Sequence, residues 1–84
     1  MKIYIVTDMV ADDYKCERSL HAPAVFRTLD EARSHARGEM KREYAPNNGY
    51  DNVEIEESQY GNTVEFHGWF DGGEFRYRID EVEA

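Results

Sequence analysis

Apolar and polar positions follow two different periods along this chain, and each period marks a different kind of element. From Lys2 to Thr7 the side chains are nearly all apolar, as expected of a central strand covered on both faces. Ala24 to Arg27 reads as a second, shorter strand. Between them, Met9 to Pro23 is rich in polar residues, with Asp12, Asp13, Lys15, Glu17 and Arg18, and is expected to be a long mobile loop of the kind that often serves function. At Leu29 the period changes. Leu29, Ala32, Ala36, Met40 and Tyr44 recur at three- and four-residue spacing, while Arg33, Arg37, Glu39 and Lys41 point elsewhere. This predicts a helix with one apolar stripe. Thr28 and Glu31 form the capping box that starts it. Asp30 and Glu31 suit the positive end of its dipole, and Lys41 and Arg42 the negative end. Ala45-Pro46-Asn47-Asn48-Gly49 stops it, because proline disfavours helical geometry before it and Asn-Gly favours a turn.

After the helix the pattern alternates again. A two-residue turn at Gly72-Gly73 pairs Phe70 with Phe75, Gly68 with Tyr77 and Phe66 with Ile79 on one face. Trp69 then meets Arg76, a cation–π pair, and His67 meets Arg78 on the other. A turn at Gly61-Asn62 pairs Val53 with Phe70, Glu54 with Trp69, Ile55 with Gly68 and Glu56 with His67. The result is a C-terminal three-strand meander, with Tyr77 expected to cover Gly68. Glu57 and Gln59 fall on the core side, so the sheet is expected to fray or bulge near Gly61. The fold class is therefore α+β: a single helix packed on one face of a mostly antiparallel sheet, in the order β-β-α-β-β-β, within one domain spanning residues 1–84.

Composition narrows what such a domain does. A chain of 84 residues buries only roughly 60 to 65% of its unfolded surface, yet 40% apolar residues and eleven aromatics are too many for a disordered acidic chain. A lone Cys16 closes no internal disulfide, which favours a reducing, cytoplasmic setting. The opening apolar run is too short for a signal peptide, and none approaches the roughly 20 residues that span a bilayer. The net charge is −8, all of it in the second half: residues 1–44 balance eight acids against eight bases, whereas residues 45–84 hold ten acids and two bases. Direct nucleic-acid binding, which needs a basic patch, is disfavoured. A basic protein partner is the natural complement.

Chemistry-bearing patterns are sparse. His21, His35 and His67 are far apart in sequence, and none stands at metal-ligand spacing with another His or Cys. Neither Asp12-Asp13 to Glu17 nor Asn47 to Asp51 follows the calcium-loop order. Cys16 has His21 five residues away but no third group to orient it. Neither Gly72-Gly73 nor Gly61 makes a phosphate cradle. No catalytic, cofactor or metal site is expected, and the chain reads as one that acts by contact.

Two surfaces are the candidates. The first is a set of carboxylates, Asp51, Glu57, Asp71, Glu74, Asp80, Glu81 and Glu83, that could occupy a basic, nucleic-acid-handling partner where phosphates would sit. Size, acidity and the lack of motifs match the general profile of small phage or mobile-element inhibitors, anti-CRISPR and anti-restriction proteins among them. That profile rests on no shared residue string. The second is the helix-free sheet face, Glu54, Glu56, His67, Trp69 and Arg76, serving a structural or regulatory module that homodimerises there or at an unpaired strand edge. A third reading is a small metal or ligand binder that uses the Met9 to Pro23 loop.

Overall fold

The apolar run at the N-terminus opens a strand that continues well beyond Thr7. The computed structural model describes residues 1–12 and 17–84. In it β1 spans Lys2–Asp12, followed by β2 (Glu17–Arg18), β3 (Ala24–Phe26), helix α1 (Leu29–Glu43), a 3-10 turn (Pro46–Asn48), β4 (Glu54–Tyr60), β5 (Thr63–Phe70) and β6 (Gly73–Glu83). The six strands form one antiparallel sheet in the order β2-β1-β6-β5-β4, with β3 also paired to β1. The expected order β-β-α-β-β-β is present, with the two-residue β2 added between the first two strands.

The stretch from Met9 to Pro23 is thus less of a loop than its polarity suggests. Met9 to Asp12 prolong β1 against β6, and Glu17 and Arg18 return to pair with Ala11 and Val10. Burial explains why: Val6, Asp8 and Val10 alternate inward beneath the helix, so the strand period persists through a charged residue. The expectations placed on Asp13, Lys15 and Cys16 lie outside the described residues.

Helix α1 forms as its sequence dictates. Thr28 Oγ1 accepts the Glu31 backbone N–H at 3.2 Å, and its hydroxyl donates to Glu31 Oε1 at 2.9 Å. At the other end Asn48 Nδ2 donates to the Arg42 and Glu43 carbonyls at 2.7 and 3.3 Å, and Gly49 adopts φ 87°, which a residue without Cβ takes at no steric cost. Ala32, Ala36, Met40 and Tyr44 are buried and Leu29 packs against them. Glu39 is the exception to the expected pattern. It is buried too, because polar groups of the sheet and of the β2–β3 connection meet it there.

The helix packs over β1, β3 and β6, and its stripe meets Val64, Phe66, Phe75, Tyr77 and Ile79 in the core. The register of β4 on β5 follows the Gly61-Asn62 turn: Glu54 faces Trp69, Ile55 faces Gly68 and Glu56 faces His67. Val53 lies just before the strand.

The second hairpin differs from expectation. Its loop is Asp71-Gly72, so Phe70 pairs with Gly73, Trp69 with Glu74, Gly68 with Phe75, His67 with Arg76 and Phe66 with Tyr77. The offset is two residues, which keeps every side chain on its expected face and changes every partner. Phe75, not Tyr77, covers Gly68: a Cβ built at Gly68 would lie 2.0 Å from Phe75 Cζ. Trp69 accordingly faces Glu74 rather than Arg76, and its ring lies against that of His67 at 4.1 Å, tilted by 31°. The expected bulge near Gly61 is also not formed, since β4 pairs continuously from Glu54 to Tyr60. The inward Glu57 is accommodated by Arg37 Nη2 at 2.6 Å and Arg33 Nη2 at 3.4 Å.

Candidate functional site: an acidic edge and a buried histidine cluster

Most of the surplus negative charge is answered within the chain. Glu57 is held by the two helix arginines. Asp71 accepts from Asn52 Nδ2 at 2.8 Å, and Glu74 meets His67 Nε2 at 3.2 Å and Arg76 Nη2 at 3.7 Å. Asp80 accepts from Thr63 Oγ1 at 2.8 Å and Arg78 Nε at 3.1 Å. Glu81 takes Lys2 Nζ and the Tyr4 hydroxyl, and Glu83 the N-terminal amine. These carboxylates lie on both faces and at both ends of the sheet, so they form no single surface.

Three acids stand apart from this pairing. Asp51, Glu54 and Glu56 make no side-chain hydrogen bond or ion pair among the described residues, and all three are exposed. Glu54 and Glu56 open β4 and Asp51 lies just before it; β4 is the last strand of the sheet, and no described strand pairs its outer edge. Every residue of β4 is exposed. In an antiparallel ladder the residues flanking a two-residue turn exchange both backbone bonds, and such pairs alternate along the strand. With Tyr60 opposite Thr63, the main-chain groups of Glu54, Glu56, Ser58 and Tyr60 turn toward β5, and those of Ile55, Glu57 and Gln59 turn outward.

On the helix side, β4 and α1 bound a groove of about 620 Å³. Phe66 and Tyr44 line it with Met40, Val53 and Ile55, while Arg37, Lys41 and Glu57 stand at its margin. Ile55 is 46% exposed there. The helix-free face carries Glu54, Glu56, His67, Trp69 and Arg76 together, as expected from the alternation. Within it Glu74 ties His67 to Arg76, and Trp69 is half-buried against His67.

A second constellation was not visible in the sequence. His21, between β2 and β3, places Nδ1 2.7 Å from Asp8 Oδ2 on β1 and 3.3 Å from Glu39 Oε2 on α1, and Nε2 3.3 Å from Glu43 Oε1. Its backbone N–H donates to Asp8 Oδ1 at 3.3 Å. His35, one helical turn before Glu39, sets Nε2 2.7 Å from Glu39 Oε1. The Tyr77 hydroxyl is wholly buried on the same recess. Burial, the charge of Glu39 and its pull as a hydrogen-bond acceptor, and the charge of Asp8 together raise its pKa, yet the contact with Glu39 falls short of good hydrogen-bond geometry. Arg18 brings a further cation to this side of the sheet, where it acts on Tyr44.

The hydrogen bond to Asp8 raises the His21 pKa above its ordinary value, opposed by burial and aided by the charges of Glu39 and Asp8 and the bond to Glu43. A histidine whose folded pKa is raised contributes stability that is complete below its unfolded value of about 6.5 and is lost as pH rises through the folded value. The unfolding free energy of the metal-free protein is therefore expected to fall as pH climbs through that window, and His21→Gln to flatten the fall. Urea unfolding across the window, beside an NMR titration of the His21 ring, checks both. A His21 midpoint at or below that of an unfolded peptide would contradict the geometry.

Together these features define a small acidic α+β domain in which one helix leaves an edge strand and its flanking groove open. Among the described residues no helix is long and apolar enough to cross a membrane. The chain belongs to the family described as Domain of unknown function (DUF7336), whose model matches residues 1–66. That match takes in the Asp8–His21–Glu39 cluster and all of β4, while β6 lies beyond it. No curated protein and no solved structure matches the chain.

Proposed function

We propose that this domain acts by contact, taking up an extended basic segment of a partner protein along the free edge of β4. The observation that supports the reading is the coincidence, at one open strand edge, of two unanswered carboxylates on the strand and a third just before it with outward main-chain groups and an adjoining apolar groove. An added strand would take its main-chain hydrogen bonds from Ile55, Glu57 and Gln59. On one face its Lys or Arg residues would lie beside Glu54 and Glu56; on the other, apolar residues would meet Ile55 and the groove. A second copy of the chain is a poorer occupant of this edge, because β4 holds three glutamates and no base, and like charges opposed across a strand pair are destabilising. Basic segments of this kind are what nucleic-acid-handling proteins present to phosphates. Occupying one would inhibit or modulate such a partner, in the manner of an anti-CRISPR or anti-restriction protein.

A synthetic peptide alternating lysine and valine is the direct probe. Its affinity is expected to fall as salt rises, and Glu54→Gln combined with Glu56→Gln to weaken it about twofold to thirtyfold, at roughly 0.2 to 1 kcal/mol for each of the two cross-strand charge pairs. Titration calorimetry at low and high ionic strength measures both. An affinity indifferent to salt and to the double substitution would refute the reading. It would instead favour self-association through the helix-free face, where Val25 and Val82 are exposed.

A further inference from the structure

We infer that Asp8, His21 and Glu39 form a binding site for one divalent transition-metal ion, Zn²⁺ being the cation whose chemistry suits the donors best. The three come from different elements, a strand, a connection and a helix, and their ligating atoms all lie within 4.8 Å of one another. One imidazole nitrogen with two carboxylates is a donor set taken by zinc and its neighbours, whereas calcium and magnesium prefer oxygen alone.

The surroundings of each donor favour this over a plain hydrogen-bonded cluster. His21 Nδ1 carries at most one proton, yet it faces carboxylate oxygens of both Asp8 and Glu39; a cation in its place satisfies both. Each donor also has its other atom already engaged. His21 Nε2 is set against Glu43 Oε1, Glu39 Oε1 against His35 Nε2, and Asp8 Oδ1 against the His21 backbone N–H. That leaves Nδ1, Oε2 and Oδ2 turned to a common centre, the arrangement in which outer groups fix the orientation of metal ligands. Ligands about 2.0 to 2.2 Å from a tetrahedral centre stand roughly 3.4 Å apart. The His21–Glu39 distance of 3.3 Å already fits, and the Asp8–His21 distance of 2.7 Å has to open by less than the reach of a side chain in a connecting segment.

The Tyr77 hydroxyl is an independent pointer. A buried hydroxyl without a partner is costly, and this one, on a residue 0% exposed, opens on the recess lined by Asp8, His21 and Glu39. The recess has no room for a water beside it, so the hydroxyl can be answered only by the site's own polar groups, Glu39 among them. Such a site would pin the β2–β3 connection to the helix and is independent of the β4 edge.

The test begins with the full chain stripped of metal by a chelator. Zn²⁺ titrated into it is expected to bind with one-to-one stoichiometry and to raise Tm, while Mg²⁺ at the same concentration leaves Tm unchanged. His21→Gln and Glu39→Gln should each weaken Zn²⁺ at least tenfold, in line with the loss of a ligand, and His67→Gln should leave it unaltered. Because a substitution in this cluster could also loosen the fold, Co²⁺ added to the unsubstituted protein supplies a second readout. Its paramagnetism should perturb the NMR signals of Asp8, His21, His35 and Glu39 first, and those of His67 and Trp69 little. No Zn²⁺ binding at millimolar concentration, binding that survives His21→Gln, or a Co²⁺ effect centred elsewhere would each overturn the assignment.

Discussion

Replacing Gly68 by alanine is expected to destabilise the fold by about 3 kcal/mol, the upper end for an overpacked core. For a domain of this size that lowers Tm by about 10 °C or more. The ground is a single contact: the new Cβ would stand 2.0 Å from Phe75 Cζ and 2.4 Å from both flanking ring carbons. Phe75 has no room to yield. It is 0% exposed, its ring lies flat on Tyr44 at 3.8 Å and 8°, and the Tyr77 ring meets it edge-on at 6.4 Å. Thermal and urea unfolding of Gly68→Ala measure the effect. A wild-type Tm would mean that another side chain covers this glycine and that the β5–β6 register is wrong.

Removing the ring on the other side of that stack is expected to cost more. Tyr44→Ala should destabilise by about 3 to 5 kcal/mol, the range for deleting a buried aromatic side chain. Tyr44 joins helix to sheet: it caps α1 through its backbone N–H to Met40 O at 3.0 Å, and its ring meets Phe75, Tyr50 at 4.9 Å and Phe70 at 5.8 Å. Tyr44→Phe keeps every one of these ring contacts and is expected to cost less than about 1.5 kcal/mol, as volume-conserving exchanges do. Comparable losses in the two variants would show that the hydroxyl, rather than the stack, holds the site.

The same stack explains what the sequence could and could not show of the fold. The helix was legible because its start signal, its stripe and its stop are all local: Thr28 with Glu31, Ala32 to Tyr44, and Pro46 to Gly49. The Gly61-Asn62 hairpin was legible for the same reason. Asp71-Gly72 and Gly72-Gly73 are both good turns, and choosing between them moves the register by two residues. A two-residue slip leaves the alternation of faces intact, so the hydrophobic pattern is silent on it. The fit of Phe75 over Gly68 decides it, and that is a tertiary contact.

The extent of β1 and the histidine cluster were hidden by one residue. Asp8 interrupts the apolar alternation between Val6 and Val10, so the strand seemed to end at Thr7. It continues because His21 and Ser19 return to meet Asp8, the ring and backbone of His21 at its carboxylate and the Ser19 hydroxyl at its carbonyl oxygen, 3.0 Å away. Partners 13 residues apart in sequence leave no spacing motif. The available signals were an acid at inward parity between two valines and the four-residue interval from His35 to Glu39. The acidic edge was half visible. Glu54 and Glu56 fall on the helix-free face as their alternation requires, but the rows that set Arg76 beside Trp69 and Arg78 beside His67 depended on the shifted register. In the structure Glu54 shares its row with Trp69 and Glu74, and Glu56 shares its row with His67 and Arg76, while neither glutamate is ion-paired among the described residues.

The central claim is that the outward main chain of β4 is where a partner docks, and amide hydrogen exchange reads that main chain directly. With the alternating lysine–valine peptide at saturation, the amides of Ile55, Glu57 and Gln59 should slow by at least tenfold, while those of Glu56 and Ser58, already turned to β5, change little. Unchanged exchange at Ile55, Glu57 and Gln59 in the presence of bound peptide, with slowing confined to the helix-free face or to β2 and β3, would contradict it.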